Sequence, residues 1–298
     1  MKFSLASKLV FCLFSIFFMT GFRRISDDNT YVNDLKTWHQ KRIEDLKAEN
    51  GWLNLAGLFW LEEGKNSFGA DAKNKVVFPA GKSAALMGYF TLKNGEVWVD
   101  IEPSGKVSVN KVPVTSLKIF PADHNIVLES GSLRWFVIKR GTKFGIRLRD
   151  LESQELQHFA GVKTFPIDPK WRIEAKLEPA TTDKKIAITD VTGQTSLQTS
   201  PGTLVFSIDG KEHRLDAVES EDQLFILFAD KTSGKETYGA GRFLYAEKPN
   251  ERRIAILDFN KSINPPCAFT TFATCPLPPK QNRLSIAVTA GEKNYGNH

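Results

Sequence analysis

The feature that most constrains the fold is a series of short apolar or alternating runs separated by tight-turn dipeptides. The runs are EVWVDI (96–101), KVSV (106–109), SLRWFVIKR (132–140), FGIRLRD (144–150), WRIEAKL (171–177), TLVFSI (203–208), QLFILF (223–228), RIAIL (253–257) and RLSIAV (283–288). Between them lie Asn94-Gly95, Ser104-Gly105, Ser130-Gly131, Asp209-Gly210 and Ser233-Gly234. Glycine in such dipeptides tolerates the positive φ of a tight hairpin, so the pattern predicts antiparallel sheets and a mainly β fold.

One segment departs from this pattern. Residues 32–50, VNDLKTWHQKRIEDLKAEN, place Leu35, Trp38, the long stem of Arg42 and Leu46 on one side of a helix. Apolar positions at this spacing are typical of an amphipathic helix. We expect one N-terminal helix that packs on a sheet.

The stretch 151–170 divides the chain, because it interrupts the strand pattern with polar residues, a glycine and two prolines. We predict a helical lead-in at 25–50 and two antiparallel β domains. The first, at 51–150, is expected to be a sandwich. The second, at 171–298, is expected to be a barrel or a sandwich and to carry the functional site.

The N-terminal segment resembles an export signal. Lys2 and Lys8 precede an apolar stretch at 9–19, and Arg23 and Arg24 follow it. We predict a signal peptide or an uncleaved anchor at 1–24 and a location in the periplasm or cell envelope, with membrane contact only through this segment. Without these four charges the net charge of +6 falls to about +2, and the chain has no basic run, so nucleic-acid binding is not expected.

The segment 257–284, LDFNKSINPPCAFTTFATCPLPPKQNRL, carries two cysteines, five prolines and three asparagines, and we call it the Pro/Cys segment. Cys267 and Cys275 are the two cysteines left after an export signal, so a disulfide is expected in an oxidising compartment. The D-x-N-x-S-x-N spacing is similar to a calcium loop, but Ile263 and Phe269 stand where glycine and glutamate are needed. Two cysteines without nearby histidines also make a poor zinc site, and no metal or cofactor is predicted.

A charged pair is predicted beside this segment. Alternation in RRIAILDFN continues an isoleucine face with Asp258, and TYGAGRFLY (237–245) reads as a strand with Tyr238 and Arg242 on one face. The short connection at 246–253 allows the two runs to fold back on each other. Because an unpaired buried carboxylate is costly, we predict that Arg242 contacts Asp258, with Tyr238 and at least one of Asn260 and Asn264 in the same cluster. Such a cluster serves either a ligand or only the architecture.

Several long motifs resemble one known family. They are GWLNLAGLFWLEEGKNSFGAD (51–71), TYGAGRFLY, the Pro/Cys segment and AGEK (290–293). In this order they are similar to the bacterial domain-of-unknown-function family numbered 1684. The resemblance implies where the chemistry would lie and implies no activity.

The first β domain resembles a second family. From Phe68 to Asp150 the order of a glycine-led turn, short strands and hairpins is similar to the forkhead-associated β-sandwich, a phosphothreonine-reading module. That resemblance implies an arginine after the glycine and a Ser/His pair further on. Here Gly69 is followed by Ala70, and the segment 83–90 contains no histidine.

Standard catalytic motifs do not occur in the sequence. None of the five histidines lies in the Pro/Cys segment, and there is no G-x-S-x-G elbow, phosphate loop or dinucleotide fingerprint. Three functions therefore stay open: binding of a small polar or anionic ligand in the second β domain, a hydrolase that uses Asp258 or Glu292 with Tyr238 and Arg242, and a structural or interaction protein. The candidate ligand-binding residues are Tyr238, Arg242, Asp258, Asn260, Asn264, Asn282 and Glu292.

Overall fold

The computed structural model describes residues 20–181 and 183–296. Most of the predicted export signal at 1–24 therefore lies outside the described residues. Among the helices that are described, none combines the length and the apolar character needed to cross a membrane.

Helix α1 (Thr20–Lys47) begins earlier than the predicted helix and ends near the expected position. Leu35 and Leu46 are buried, and Trp38 and Arg42 are partly buried, as the helical spacing predicts.

The first β unit is a sandwich of two sheets. One sheet has the order β1-β11-β10-β9-β6-β7 and the other the order β3-β2-β4-β5-β8. The aromatic side chains of Phe68, Phe90 and Trp135 lie between the sheets, with the rings of Phe68 and Phe90 stacked at 4.3 Å. The strands are β1 (Leu55–Trp60), β2 (Gly64–Gly69), β3 (Val76–Val77), β4 (Gly88–Lys93), β5 (Glu96–Ile101), β6 (Ser108–Val109), β7 (Val112–Pro113), β8 (Ser116–Phe120), β9 (Leu128–Ser130), β10 (Leu133–Arg140) and β11 (Lys143–Asp150).

The second β unit is a curled six-stranded sheet with a separate hairpin. The strands are β12 (Arg172–Pro179), β13 (Lys185–Thr189), β14 (Thr195–Thr199), β15 (Gly202–Ile208), β16 (Lys211–Ser220), β17 (Gln223–Phe228), β18 (Arg242–Glu247) and β19 (Ile254–Asp258). The sheet order is β18-β17-β16-β15-β12-β19, while β13 pairs only with β14. Edge strands β18 and β19 lie close together, so the sheet nearly closes into a barrel.

Short helices mark the connections. Helix α2 (Gln154–Gln157) follows the sandwich, and 3₁₀ turns occur at Pro169–Trp171, Phe259–Lys261, Pro266–Ala268 and Lys280–Asn282. The mainly β antiparallel fold with one N-terminal helix is the predicted one. Two of the predicted hairpins have the expected backbone, since both residues of Asn94-Gly95 and of Asp209-Gly210 have positive φ.

Two predicted strands are wrong. The run 237–245 is a strand only from Arg242 onward, because the N–H of Gly241 donates to the carbonyl of Tyr238 and closes a turn. Gly241 has φ +91°, and a Cβ there would meet the carbonyl oxygen of Phe228 at 2.5 Å. The run 283–288 has no strand, although Leu284 and Val288 are buried as its apolar pattern requires.

Helix α1 joins the two β units. Near its C-terminal end, the carboxylate of Glu49 accepts a hydrogen bond at 3.1 Å from Arg134 of the sandwich. Leu46 and Leu53 form one apolar cluster with Ala268 and Phe269 of the Pro/Cys segment. The helix thus fixes the position of the Pro/Cys segment relative to the sandwich.

Candidate functional site

The predicted contact between Arg242 and Asp258 is wrong. Arg242 donates to the Oδ2 atom of Asp230 at 2.9 Å, and both side chains are completely buried. Its guanidinium also donates to the backbone carbonyls of Val288 and Ala290. The turn at 238–241 and the pairing of β18 with β17, not with β19, place Arg242 beside a different carboxylate.

Asp258 belongs to a separate cluster that anchors helix α1. Its Oδ1 atom accepts a hydrogen bond from the Tyr31 hydroxyl at 2.9 Å. Asn260 donates to Tyr31 and to the carbonyl of Asp168, and its own Oδ1 accepts from the Asp168 N–H. These groups use most of one another's hydrogen-bonding capacity, so the cluster holds the helix to the second β unit.

Glu292 is held by Arg42 and Asn264. Its Oε1 accepts from Arg42 Nε at 3.1 Å, and its Oε2 accepts from the Asn264 N–H at 2.6 Å. Burial raises the pKa of the Glu292 carboxyl, although Arg42 and the Asn264 N–H lower it. Glu292 also lines a cavity of about 270 Å³ beside helix α1, together with Lys36 and His39, and we call this the helix cavity.

The remaining candidates are tied to the backbone. Asn282 donates to the carbonyls of Asp216 and Leu227 and accepts from the Asp216 N–H, which links β16 and β17. The Tyr238 hydroxyl donates to the carbonyl of Cys267 at 3.2 Å. The predicted disulfide between Cys267 and Cys275 is present, with 6.1 Å between the two Cα atoms.

A larger cavity lies between the two β units, where the sequence predicted no site. Its volume is about 470 Å³, and we call it the arginine cavity because Arg42, Arg140 and Arg147 line it. No carboxylate is among its lining residues in the described part of the chain. The other lining residues are Trp52, Phe225, Phe243, Tyr245, Ile263, Asn264, Pro266, Ala273, Thr274, Cys275 and Pro276.

Arg147 is the most unusual of these residues. Its side chain is 6% exposed, and its Nε and Nη2 atoms are buried with no hydrogen-bond partner among the described residues. Burial, with the like charges of Arg140 and Arg149, lowers the pKa of Arg147 to about 10. Strand alternation explains its position, since Phe144, Ile146 and Leu148 of β11 face the sandwich core and Arg147 faces away from it.

The Pro/Cys segment and the aromatic side chains build the opposite wall. The rings of Phe225 and Tyr245 stack at 4.9 Å, and Phe243 meets Phe225 edge to face at the same centroid distance. Tyr245 keeps 42% of its surface exposed. The Oδ1 atom of Asn264 is a third buried polar atom at this cavity with no partner in the described residues.

The second half of the chain matches a known protein family. Residues 157–293 match the model of a family described as "Protein of unknown function (DUF1684)". This part of the chain belongs to the family. The match includes the Pro/Cys segment and the closing AGEK motif, while the motif at 51–71 lies outside it. No curated protein matches the chain.

Parts of the chain are similar to solved structures, including an NMR structure and two FHA domains. An uncharacterised protein of Haloarcula marismortui, solved by NMR, shares 32% identity over 49% of this chain and 82% of its own, with a TM-score of 0.41. An FHA domain from a study of phosphothreonine-dependent interactions shares 18% identity over 31% of this chain and 92% of its own, with a TM-score of 0.23. The FhaA FHA domain, solved in a complex, shares 18% identity over 31% of this chain and 97% of its own, with a TM-score of 0.23.

The arginine cavity of this DUF1684 chain is lined by residues that precede the matched region and by residues within it. Arg42, Arg140 and Arg147 precede residue 157, whereas Asn264 and Cys275 lie within the match. The sequence predicts a site in the second β unit, and none of the three arginines is among its candidate residues, because no local pattern shows that the second β unit covers this face of the sandwich. The signal was present in FGIRLRD, where Arg147 and Arg149 alternate with apolar residues on a strand.

Proposed function

We propose that the protein binds a small anionic ligand in the arginine cavity. The observation that carries this proposal is the buried guanidinium of Arg147, which has unpartnered N–H groups and no neighbouring carboxylate in the described residues. This site differs from the one expected in the second β domain, because the sandwich and helix α1 supply its charges.

The electrostatic cost of this arrangement supports the proposal. Burial lowers the pKa of Arg147 to about 10, which means that its surroundings disfavour the charged form of the guanidinium. Buried charges in proteins are usually paired, because removing an ion from water is costly. An anion in the cavity would supply the missing charge and would accept the free N–H groups.

The other walls limit the shape of the ligand. The exposed face of Tyr245 and the stacked ring of Phe225 offer a flat apolar surface. The unpartnered Oδ1 of Asn264 can accept a hydrogen bond from a ligand hydroxyl or amide. Apolar walls with a few convergent polar groups are typical of small-molecule sites. We infer a ligand with one anionic group and a polar, ring-sized body.

The test begins with ligands that the native protein retains, identified by mass spectrometry. Binding of phosphate, sulfate and citrate is then measured by calorimetry for the wild-type protein and for Arg147→Met. The matched control is Arg214→Met, because Arg214 is exposed and already paired with Glu178 and Glu212. We expect at least tenfold weaker anion binding in Arg147→Met and no change in the control. Equal binding by all three proteins would overturn the proposal.

Export to the periplasm or cell envelope belongs to the same proposal. The apolar stretch at 9–19 supports it, and so does the disulfide, which is rare in reducing compartments. Cell fractionation with a C-terminal tag tests it, and recovery of the full-length chain in the cytosol would contradict it.

One observation favours the hydrolase as a second candidate function. Glu292 is almost fully buried, burial raises its pKa, and it lines the helix cavity near His39. A carboxyl with a raised pKa is typical of a general acid. Turnover of a panel of ester and glycoside substrates that disappears in Glu292→Gln would support this candidate, and the lack of any turnover by the wild type would remove it.

A further inference from the structure

A second cavity, which the proposed function does not use, adjoins the arginine cavity. This hairpin cavity, named for the neighbouring β13–β14 hairpin, has a volume of about 480 Å³. Arg140, Phe225, Thr274 and Pro276 line both cavities. Because these four residues border both cavities, a ligand in the arginine cavity can reach toward the hairpin cavity, and we call the two cavities together the groove.

The hairpin cavity has a different chemistry. Its polar side chains are mostly uncharged hydroxyls and amides: Gln194, Thr195, Ser196, Gln198 and Thr274. The Oδ1 atom of its carboxylate, Asp190, accepts from the N–H groups of Thr192 and Gln194. Ile188, Val218 and Leu227 supply an apolar floor.

The two glutamines keep free hydrogen-bonding groups. The side-chain amide of Gln194 has no hydrogen bond within the described residues, and Gln198 uses only its Nε2 atom, which donates to Ser196 at 2.9 Å. An amide offers a donor and an acceptor close together. Such a pair suits adjacent hydroxyl groups, each of which both donates and accepts.

We propose that the ligand is an acidic carbohydrate longer than one sugar unit. This inference rests on the proposed anion site. The acid group lies against Arg147, a sugar ring lies on the Phe225–Tyr245 face, and the uncharged hydroxylated remainder contacts Gln194 and Gln198. The two cavities together approach the upper end of the range of about 300 to 1,000 Å³ found for ligand sites, which exceeds the need of a single small anion.

The first experiment probes the wild-type protein with an array of acidic and neutral glycans that carry carboxylate, phosphate, sulfate or no charged group. We expect binding to acidic glycans of two or more units and at least tenfold weaker binding to their neutral counterparts. Binding to neutral and acidic glycans alike, or to no acidic glycan, would overturn the inference.

The second experiment separates this inference from the anion site itself. In the double variant Gln194→Ala, Gln198→Ala, we expect at least tenfold weaker binding of the best acidic glycan and unchanged binding of citrate. Gln157→Ala, an exposed glutamine on α2, is the matched control. Unchanged glycan binding in the double variant would overturn the carbohydrate inference and leave the anion site intact. Anion binding that does not depend on Arg147 would overturn both.

Discussion

At the scale of single residues, Arg147 and Arg242 show two ways of burying a guanidinium. Arg242 donates to Asp230 and to backbone carbonyls. Its Cζ atom also lies over the ring of Phe228, 5.2 Å from the ring centroid. Arg147 has two buried nitrogen atoms without partners in the described part of the chain. The first arrangement stabilises the fold, whereas the second leaves binding capacity for a ligand.

Replacement of Arg147 by methionine tests this difference without any ligand. Methionine keeps the apolar volume and removes the unpaired charge, so the free energy of unfolding should stay the same or rise by about 1 to 3 kcal/mol. Urea denaturation of ligand-free protein measures it. A loss of more than about 1 kcal/mol would show that Arg147 has a structural role.

Replacement of Asp230 by asparagine should have the opposite effect. Arg242 would be left as a buried charge without its counterion, and we expect a loss of about 3 to 5 kcal/mol in the free energy of unfolding. Asp45→Asn, which breaks an exposed pair with Lys41, is the control and should cost less than about 1 kcal/mol. Similar small losses in both variants would contradict the account of Arg242.

At the scale of elements, helix α1 is the part on which the cavity geometry depends. Tyr31 contacts Asp258, Arg42 contacts Glu292, and Leu46 packs with Phe269. These three contacts lie between Tyr31 and Leu46, so the inner face of the helix meets the second β unit along this stretch. Arg42 reaches the arginine cavity only if this docking is intact.

The docking of α1 should depend on pH through His39. The pKa of His39 is lowered, mainly by partial burial. The negative charge of Asp258 raises this pKa, and the positive charge of Lys261 lowers it. Because the unfolded chain takes up the proton first, the wild type loses stability as the pH falls below about 6.5. His39→Gln removes this dependence. We expect the melting temperature of the wild type to fall more steeply than that of His39→Gln between pH 8 and pH 5, and parallel curves would refute the effect.

The Pro/Cys segment holds the hairpin beside the groove. The carbonyl of Cys275 accepts from the Val191 N–H at 3.0 Å, and the Leu277 N–H donates to Thr189 at 2.8 Å. The disulfide closes a loop with a sequence separation of eight, and such a short loop stabilises by on the order of 2 to 3 kcal/mol. Reduction should therefore lower the free energy of unfolding by this amount, as denaturation with and without reductant would measure. Equal stability in both states would contradict it.

At the scale of the whole molecule, local patterns predicted the fold class and the regular strands, and they predicted long-range partners poorly. Alternation predicted β5, β6, β10, β11, β12, β15, β17 and β19, and the spacing of Leu35 and Leu46 predicted the inner face of α1. Strands without a clear apolar alternation, such as the exposed β14, had no predicted run. The predicted contact between Arg242 and Asp258 is wrong for two reasons. Residues 238–241 form a turn and not a strand, and the sequence of the two runs does not determine which strands are neighbours in the sheet.

The arginine cavity could not be predicted for a related reason. Its three arginines come from a helix and from two strands of the sandwich, and its other walls come from the second β unit. Alternation along β11 is consistent with an Arg147 side chain that points away from the sandwich core, but it does not show that another β unit covers that side. Only the packing of two β units through α1 turns an apparently exposed arginine into a buried one.

The most direct test of the central claim is a crystal of the protein soaked in selenate, with the anion located by its anomalous scattering. We expect a selenate within hydrogen-bonding distance of Arg147, between it and Arg42 or Arg140, and no such peak in crystals of Arg147→Met. A peak bound elsewhere, or an arginine cavity filled only by water at a selenate concentration that saturates binding in solution, would contradict it.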